Sequence, residues 1–267
     1  MNSARHAKRF GRRSAFTGFT LVELMVVVAI LSLLITILLP TLWRAREITK
    51  STLCLTNLHG LGRAMNAYIF ENDGHFPVAY HTERIGRVRY SYAWDITHVK
   101  DWDTREETIT AGTLWQGQKL FQIQQCPSYK GSANWMDDPF TGYNYNTSYL
   151  GYNERPHAAG KPPKTVTLEA VKYPGQTAAF GDGEYASGAN KFMRAPWRDA
   201  RWDTFVGRSA GTQGYRHLGK TNVCWADGHA THWAEKHRQT HPDEMGRIPE
   251  DEPYGYLSAD NSLYDLK

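Results

Sequence analysis

The sequence predicts an α+β fold: a long N-terminal helix, membrane-spanning in its first half, packed against an antiparallel β-sheet domain. Three observations predict it. An apolar run over residues 21–39 holds one ionisable side chain, Glu23. A stripe with helical spacing then continues it through Cys54, Leu58, Leu61, Met65 and Tyr68. Beyond Gly74 the period shortens to the alternation of strands, over 88–94 and again over 222–233.

Residues 1–18 carry Arg5, Lys8, Arg9, Arg12 and Arg13 and no acid, a flank that the positive-inside rule keeps in the cytoplasm. As a helix, residues 19–39 span roughly 30 Å, one hydrocarbon thickness. The N-terminus is therefore expected inside and the bulk of the chain outside. A carboxylate in such a segment costs roughly 2.5–3.5 kcal/mol or more, so Glu23 is expected to meet a partner. Its plainer alternative is to snorkel to the interface. A secretory signal places its small-residue cleavage site after the apolar core. Here Gly18 precedes the core and Pro40-Thr41-Leu42-Trp43 follows it, which predicts a removable leader and a retained helix.

Pro40 is expected to kink the helix without ending it, because the helical pattern resumes. Residues 40–74 form the amphipathic half, weakened locally by Gly60 and Gly62 and stopped by Asn72-Asp73-Gly74. A helix over 20–71 would be roughly 75–80 Å long. Residues 75–237 then read as one soluble, β-rich domain. Expected strands lie at 88–94, 177–180 and 222–225, the last turned by Ala226-Asp227-Gly228 into 229–233 as a hairpin, while 143–146 and 148–153 read as aromatic-rich strands or loops. Residues 113–124 fit a strand or a short helix, and Lys161-Pro162-Pro163 marks a loop. Residues 238–267, poor in aliphatics, read as an extended tail.

The formal charge of +4 would suit a nucleic-acid partner, but the leader alone contributes five of the 31 bases and none of the 27 acids. The remainder carries 26 bases against 27 acids, so no nucleic acid is expected. Arg44, Arg46 and Lys50 stand where lipid headgroups would be. Of three cysteines, Cys54 and Cys126 are expected to form a disulfide, and Cys224, inside an apolar strand pattern, to be a buried thiol. The spacings fit no zinc motif.

The stretch Gly18-Phe19-Thr20-Leu21-Val22-Glu23 and its apolar continuation closely resemble the processing site of type IV pilins and type II secretion pseudopilins. The resemblance implies that a prepilin peptidase cuts after Gly18 and methylates Phe19. It implies a subunit of the inner membrane, single-pass, with a cytoplasmic N-terminus and a periplasmic domain. Its partners would be other pilin or pseudopilin subunits and the inner-membrane assembly platform. Phe19, Thr20, Leu21 and Glu23 would carry assembly, with Glu23 of one protomer neutralising the new amine of its neighbour. A second signature, His217 followed by nine residues and then Asp227-Gly228, resembles a large group of pilin-like proteins, along with Cys54-Leu55-Thr56-Asn57-Leu58 and Cys126-Pro127-Ser128.

No cofactor is required by this reading. Asp182, His217, Asp227 and His229 are types that bind transition metals, and are the candidate set should a metal be bound. The plain alternative makes Asp227-Gly228 a hairpin turn and His217 a loop hydrogen-bonder. The sequence contains no nucleophile elbow, phosphate loop or HExxH, and Glu106-Glu107 and Asp137-Asp138 suit solvated loops better than acid–base dyads. The chain is therefore expected not to be an enzyme. Two rivals stand beside the filament reading: a tethered receptor whose aromatics hold a glycan or polymer, and a tethered metalloprotein.

Overall fold

The computed structural model describes residues 18–116, 125–131, 142–151, 165–186, 188–198, 207–238 and 248–267. The leader before Gly18, residues 117–124, Asp137-Asp138 and Lys161-Pro162-Pro163 lie outside them. The described chain forms two compact units, one ending at Ala45 and the other beginning at Arg46.

Helix α1 (Leu21–Glu71) runs without a break through Pro40. In the first unit it is a lone apolar rod whose side chains are exposed from Leu21 to Leu42. It is long and apolar enough to cross a membrane. Its few hydroxyls bond to the helix itself, Ser32 to the Val28 carbonyl at 2.8 Å and Thr36 to the Ser32 carbonyl at 2.7 Å, so neither of these demands water. In the second unit the same helix turns one stripe inward: Ser51, Cys54, Leu58, Leu61, Gly62, Met65 and Ile69 are buried. The expected stripe is present except at its end, where Ile69 takes the buried place and Tyr68 is half-buried.

Eleven strands follow among the described residues. A meander, β1 (Tyr80–Ile85), β2 (Val88–Ala93), β3 (Ile96–Asp101) and β4 (Glu107–Ala111), is antiparallel throughout. A five-stranded sheet is assembled from β5 (Asn144–Asn146), β6 (Ala178–Gly181), β7 (Phe192–Met193), β9 (Thr221–Trp225) and β10 (Ala230–Trp233), in the order β10-β9-β6-β5-β7. Only the β5–β7 pair is parallel. A short pair, β8 (Gln213–Gly214) with β11 (Tyr254–Gly255), completes the set.

The alternation of β9 explains the layering. Cys224 joins Leu58, Leu61, Met65 and Phe180 in the core under the helix. Its neighbours Val223 and Trp225 point the other way and pack with Leu257 and Tyr264. The central sheet is therefore covered on both faces. Of the tail expected over 238–267, the described residues 248–267 are packed in rather than extended: Tyr256, Leu257 and Tyr264 are fully buried, and the Ala178 and Lys172 amides donate to the carbonyls of Leu263 and Leu266. Tyr254, Tyr256 and Tyr264 carry much of that burial beside Ile248 and Leu257.

Gly62 is where helix and hairpin touch. A Cβ there would lie 2.7 Å from both Cys224 Sγ and the Gly228 carbonyl oxygen. Asn66, one turn on, donates to the Asp227 carbonyl at 3.2 Å. The meander is tied in at Trp94 and Asp95: the Trp94 indole donates to the Lys191 carbonyl at 3.0 Å, and Asp95 pairs with the buried Lys191 ammonium.

Candidate functional site

Candidate functional residues gather in two places among the described residues. The first is the start of α1. Thr20 and Glu23 cap the helix reciprocally: Glu23 N–H donates to Thr20 Oγ1 at 3.2 Å, while Thr20 N–H and hydroxyl donate to Glu23 Oε2 at 2.9 and 2.6 Å. This is a capping box, and Thr20-x-x-Glu23 was its sequence signal. Sequence reasoning assigned Glu23 to a neighbouring subunit and overlooked this local role. Gly18, Phe19 and Leu21 stand exposed beside it.

The second is a buried cluster in the other unit. Cys54 comes from α1, Cys126 from the loop before β5, Asp182 from the end of β6, and His217 from the turn between β8 and β9. Their donor atoms all lie within 4.8 Å of one another, and none of the four residues is more than 2 % exposed. Cys54 Sγ is 3.0 Å from Asp182 Oδ1, Cys126 Sγ is 3.5 Å from His217 Nε2, and that same nitrogen is 3.2 Å from Asp182 Oδ2. The other ring nitrogen, Nδ1, faces Ser128 Oγ at 3.4 Å. Arg216 closes the cluster, with Nε 3.3 Å from Cys126 Sγ and Nη2 3.3 Å from Asp182 Oδ1. The Asn222 amide donates to Asp182 Oδ2 at 2.8 Å.

Charge divides unevenly over these groups. Burial, with the Cys126 hydrogen bond and the Asp182 charge, pushes the Cys54 thiol well up. Burial acts against the Cys126 thiolate too, but the Cys54 hydrogen bond, Arg216 and His217 outweigh it and bring that thiol down. His217 is disfavoured as a cation by burial, yet its bonds to Asp182 and Cys126 raise it to about 9. Asp182 is likewise penalised by burial and held low by Arg216 and His217.

A cysteine, histidine and aspartate in contact invite comparison with a nucleophilic triad. In a triad the nucleophile and the carboxylate use opposite nitrogens of the imidazole. Here Cys126 and Asp182 both meet Nε2. The four donor atoms are grouped within 4.8 Å of one another rather than lined up along an imidazole as a proton relay requires.

Two expectations are corrected. The disulfide between Cys54 and Cys126 is not formed: the two are neighbours, as expected, but both are free thiols, engaged with Asp182 and His217. The expected metal set is split. Asp182 and His217 come together, whereas Asp227 and His229 pair with each other at 2.5 Å on the half-exposed β9–β10 turn, where Gly228 takes φ of 93°. Asp227 there borders an open groove of about 740 Å³ with Asn66, Phe70 and Pro174. The H-x9-DG signature thus contributes to two separate features, a cluster residue and a turn.

Residues 13–39 match the family model of the prokaryotic N-terminal methylation motif. The chain is accordingly prepilin-like at its N-terminus and carries a prepilin processing signal on a helix suited to single-pass anchoring. That signal implies processing by a prepilin peptidase and assembly with other pilin subunits. No curated protein and no solved structure matches the chain.

Proposed function

We propose that the chain is a pilin-like or pseudopilin-like structural subunit of a type II secretion or type IV pilus-like system. It is cut after Gly18, methylated at Phe19 and held in the inner membrane by the first half of α1 until it polymerises. The N-terminus is cytoplasmic and the β-rich unit periplasmic. The observation that carries this reading is the methylation motif at 13–39 laid on an apolar helix whose one ionisable residue up to Leu39 is Glu23. Both Thr20 bonds to that carboxylate fall on Oε2, which leaves Oε1 to receive the amine that cleavage creates at Phe19 of a neighbouring protomer. A desolvated pair of this kind sets register, since breaking one typically costs about 3–5 kcal/mol. The work is mechanical, and no catalytic step is assigned to the β-rich unit; the shared use of His217 Nε2 supports that view.

Two measurements test it. The mature protein should begin at Phe19 and carry one N-methyl group by N-terminal sequencing and mass spectrometry. Glu23→Gln should leave cleavage intact and abolish recovery of the subunit in sheared filaments. A native chain that retains its basic leader, or a Glu23→Gln chain that assembles as well as wild type, would refute the filament reading.

A further inference from the structure

We propose that Cys54, Cys126, Asp182 and His217 form a closed, tetrahedral zinc site that ties α1 to the sheet. The inference concerns the β-rich unit alone and does not depend on how, or whether, the N-terminus assembles.

The argument starts from the donors. Two sulfurs, one imidazole nitrogen and one carboxylate oxygen are a four-ligand set that Zn²⁺ accepts, and thiolate with imidazole disfavours the oxygen-seeking Ca²⁺ and Mg²⁺. Distances follow. With Zn–S near 2.3 Å and Zn–N or Zn–O near 2.0 Å, a tetrahedron has edges of about 3.5 Å from sulfur to nitrogen or oxygen and about 3.3 Å from nitrogen to oxygen. The structure has 3.5 Å for Cys126 Sγ to His217 Nε2, while Asp182 spreads its two oxygens over the cluster, Oδ2 at 3.2 Å from His217 Nε2 and Oδ1 at 3.0 Å from Cys54 Sγ; on binding, one of the two would turn to the metal. Four side chains from four separate segments bring their donor atoms within 4.8 Å of one another, close enough to share one metal ion.

Charge closes as well. Two thiolates and a carboxylate bring three negative charges into a buried space. Zn²⁺ and Arg216, which touches both Cys126 and Asp182, bring three positive ones. The outer contacts are those that orient metal ligands: Ser128 Oγ at the far nitrogen of His217, the Asn222 amide on Asp182, and the Tyr143 hydroxyl 3.4 Å from Cys54 Sγ. All four corners are protein atoms, so the site is structural rather than catalytic. A small cavity of about 160 Å³ bordered by Ser51, Lys220 and His232 opens beside His217 and offers an entry path.

The test uses the full chain, purified from membranes in detergent without chelator and with zinc in the growth medium. Elemental analysis should give about one zinc per chain, and denaturation should release three free thiols. Cys126→Ser and Asp182→Asn should each lower zinc at least about tenfold, while Cys224→Ser, a buried thiol outside the cluster, should keep it. Because a ligand variant may fail to fold, the wild type is also prepared with cobalt, whose thiolate charge-transfer absorption reports the ligands directly. Wild-type protein that is folded yet free of zinc, that holds iron or copper instead, or that yields a Cys54–Cys126 disulfide peptide overturns the proposal. So does cobalt-loaded protein lacking the thiolate band.

Discussion

Gly62→Ala probes how closely α1 docks on the β9–β10 hairpin. Taken alone, the helix gains: alanine is favoured over glycine in a helix interior by about 1 kcal/mol. Against this, the new methyl would lie 2.7 Å from Cys224 Sγ, 2.7 Å from the Gly228 carbonyl oxygen and 3.0 Å from Gly228 Cα. Two of those three atoms are backbone of a turn at φ of 93°, and the third belongs to a fully buried residue, so none can swing aside. Overpacking of this kind costs about 1–3 kcal/mol. The balance is a net loss of up to about 2 kcal/mol, and Gly62→Val, bulkier and a poorer helix former, should lose more. For a unit of this size each kcal/mol lowers Tm by about 2–4 °C. Thermal melts of the detergent-solubilised chain, followed by tryptophan fluorescence, read the shift. A Gly62→Ala protein that melts higher than wild type would show that propensity governs the site and that the close approach is not a constraint.

The buried Asp95–Lys191 pair gives an asymmetric expectation. Asp95→Asn should destabilise by about 3–5 kcal/mol by taking the carboxylate from a buried ammonium, whereas replacing both by apolar residues should cost far less; urea midpoints of the single and double variants compare them, and equal losses would contradict the reasoning. His81 stacks on Tyr92 at 4.4 Å, and burial, opposed in part by Glu83, lowers its pKa below the ordinary 6.5. The unfolded chain therefore takes up that proton first as pH falls, so the stability that neutral His81 contributes is present above pH 6.5 and is lost as pH drops through the lowered value. His81→Gln should flatten the urea-midpoint profile across that interval.

Much of the scaffold was legible because it rests on period. The stripe of α1 and the β9–β10 hairpin follow from spacing and from one Asp-Gly turn. β1, with the sequence Tyr-His-Thr-Glu-Arg-Ile, shows no apolar alternation because neither face is deeply buried, and period cannot reveal such a strand. The cluster was half legible. Asp182 and His217 were marked by residue type, and Cys54 and Cys126 by their expected proximity. What joined them was invisible, because the ligands come from contacts 128 and 91 residues apart, a separation no local motif encodes. Asp227 and His229 misled for the opposite reason: two residues apart on a turn, they satisfy each other.

Those long separations also set an order of events. Cys54 leaves the ribosome with the helix, and more than 160 residues must follow before His217 can meet it. Its partners are made in turn, Cys126, Tyr143 and Asp182 before His217, and closure of so many distant segments at once is slow. A chain cut short before His217 would keep the helix and still lack one corner of the cluster that binds that helix to the sheet.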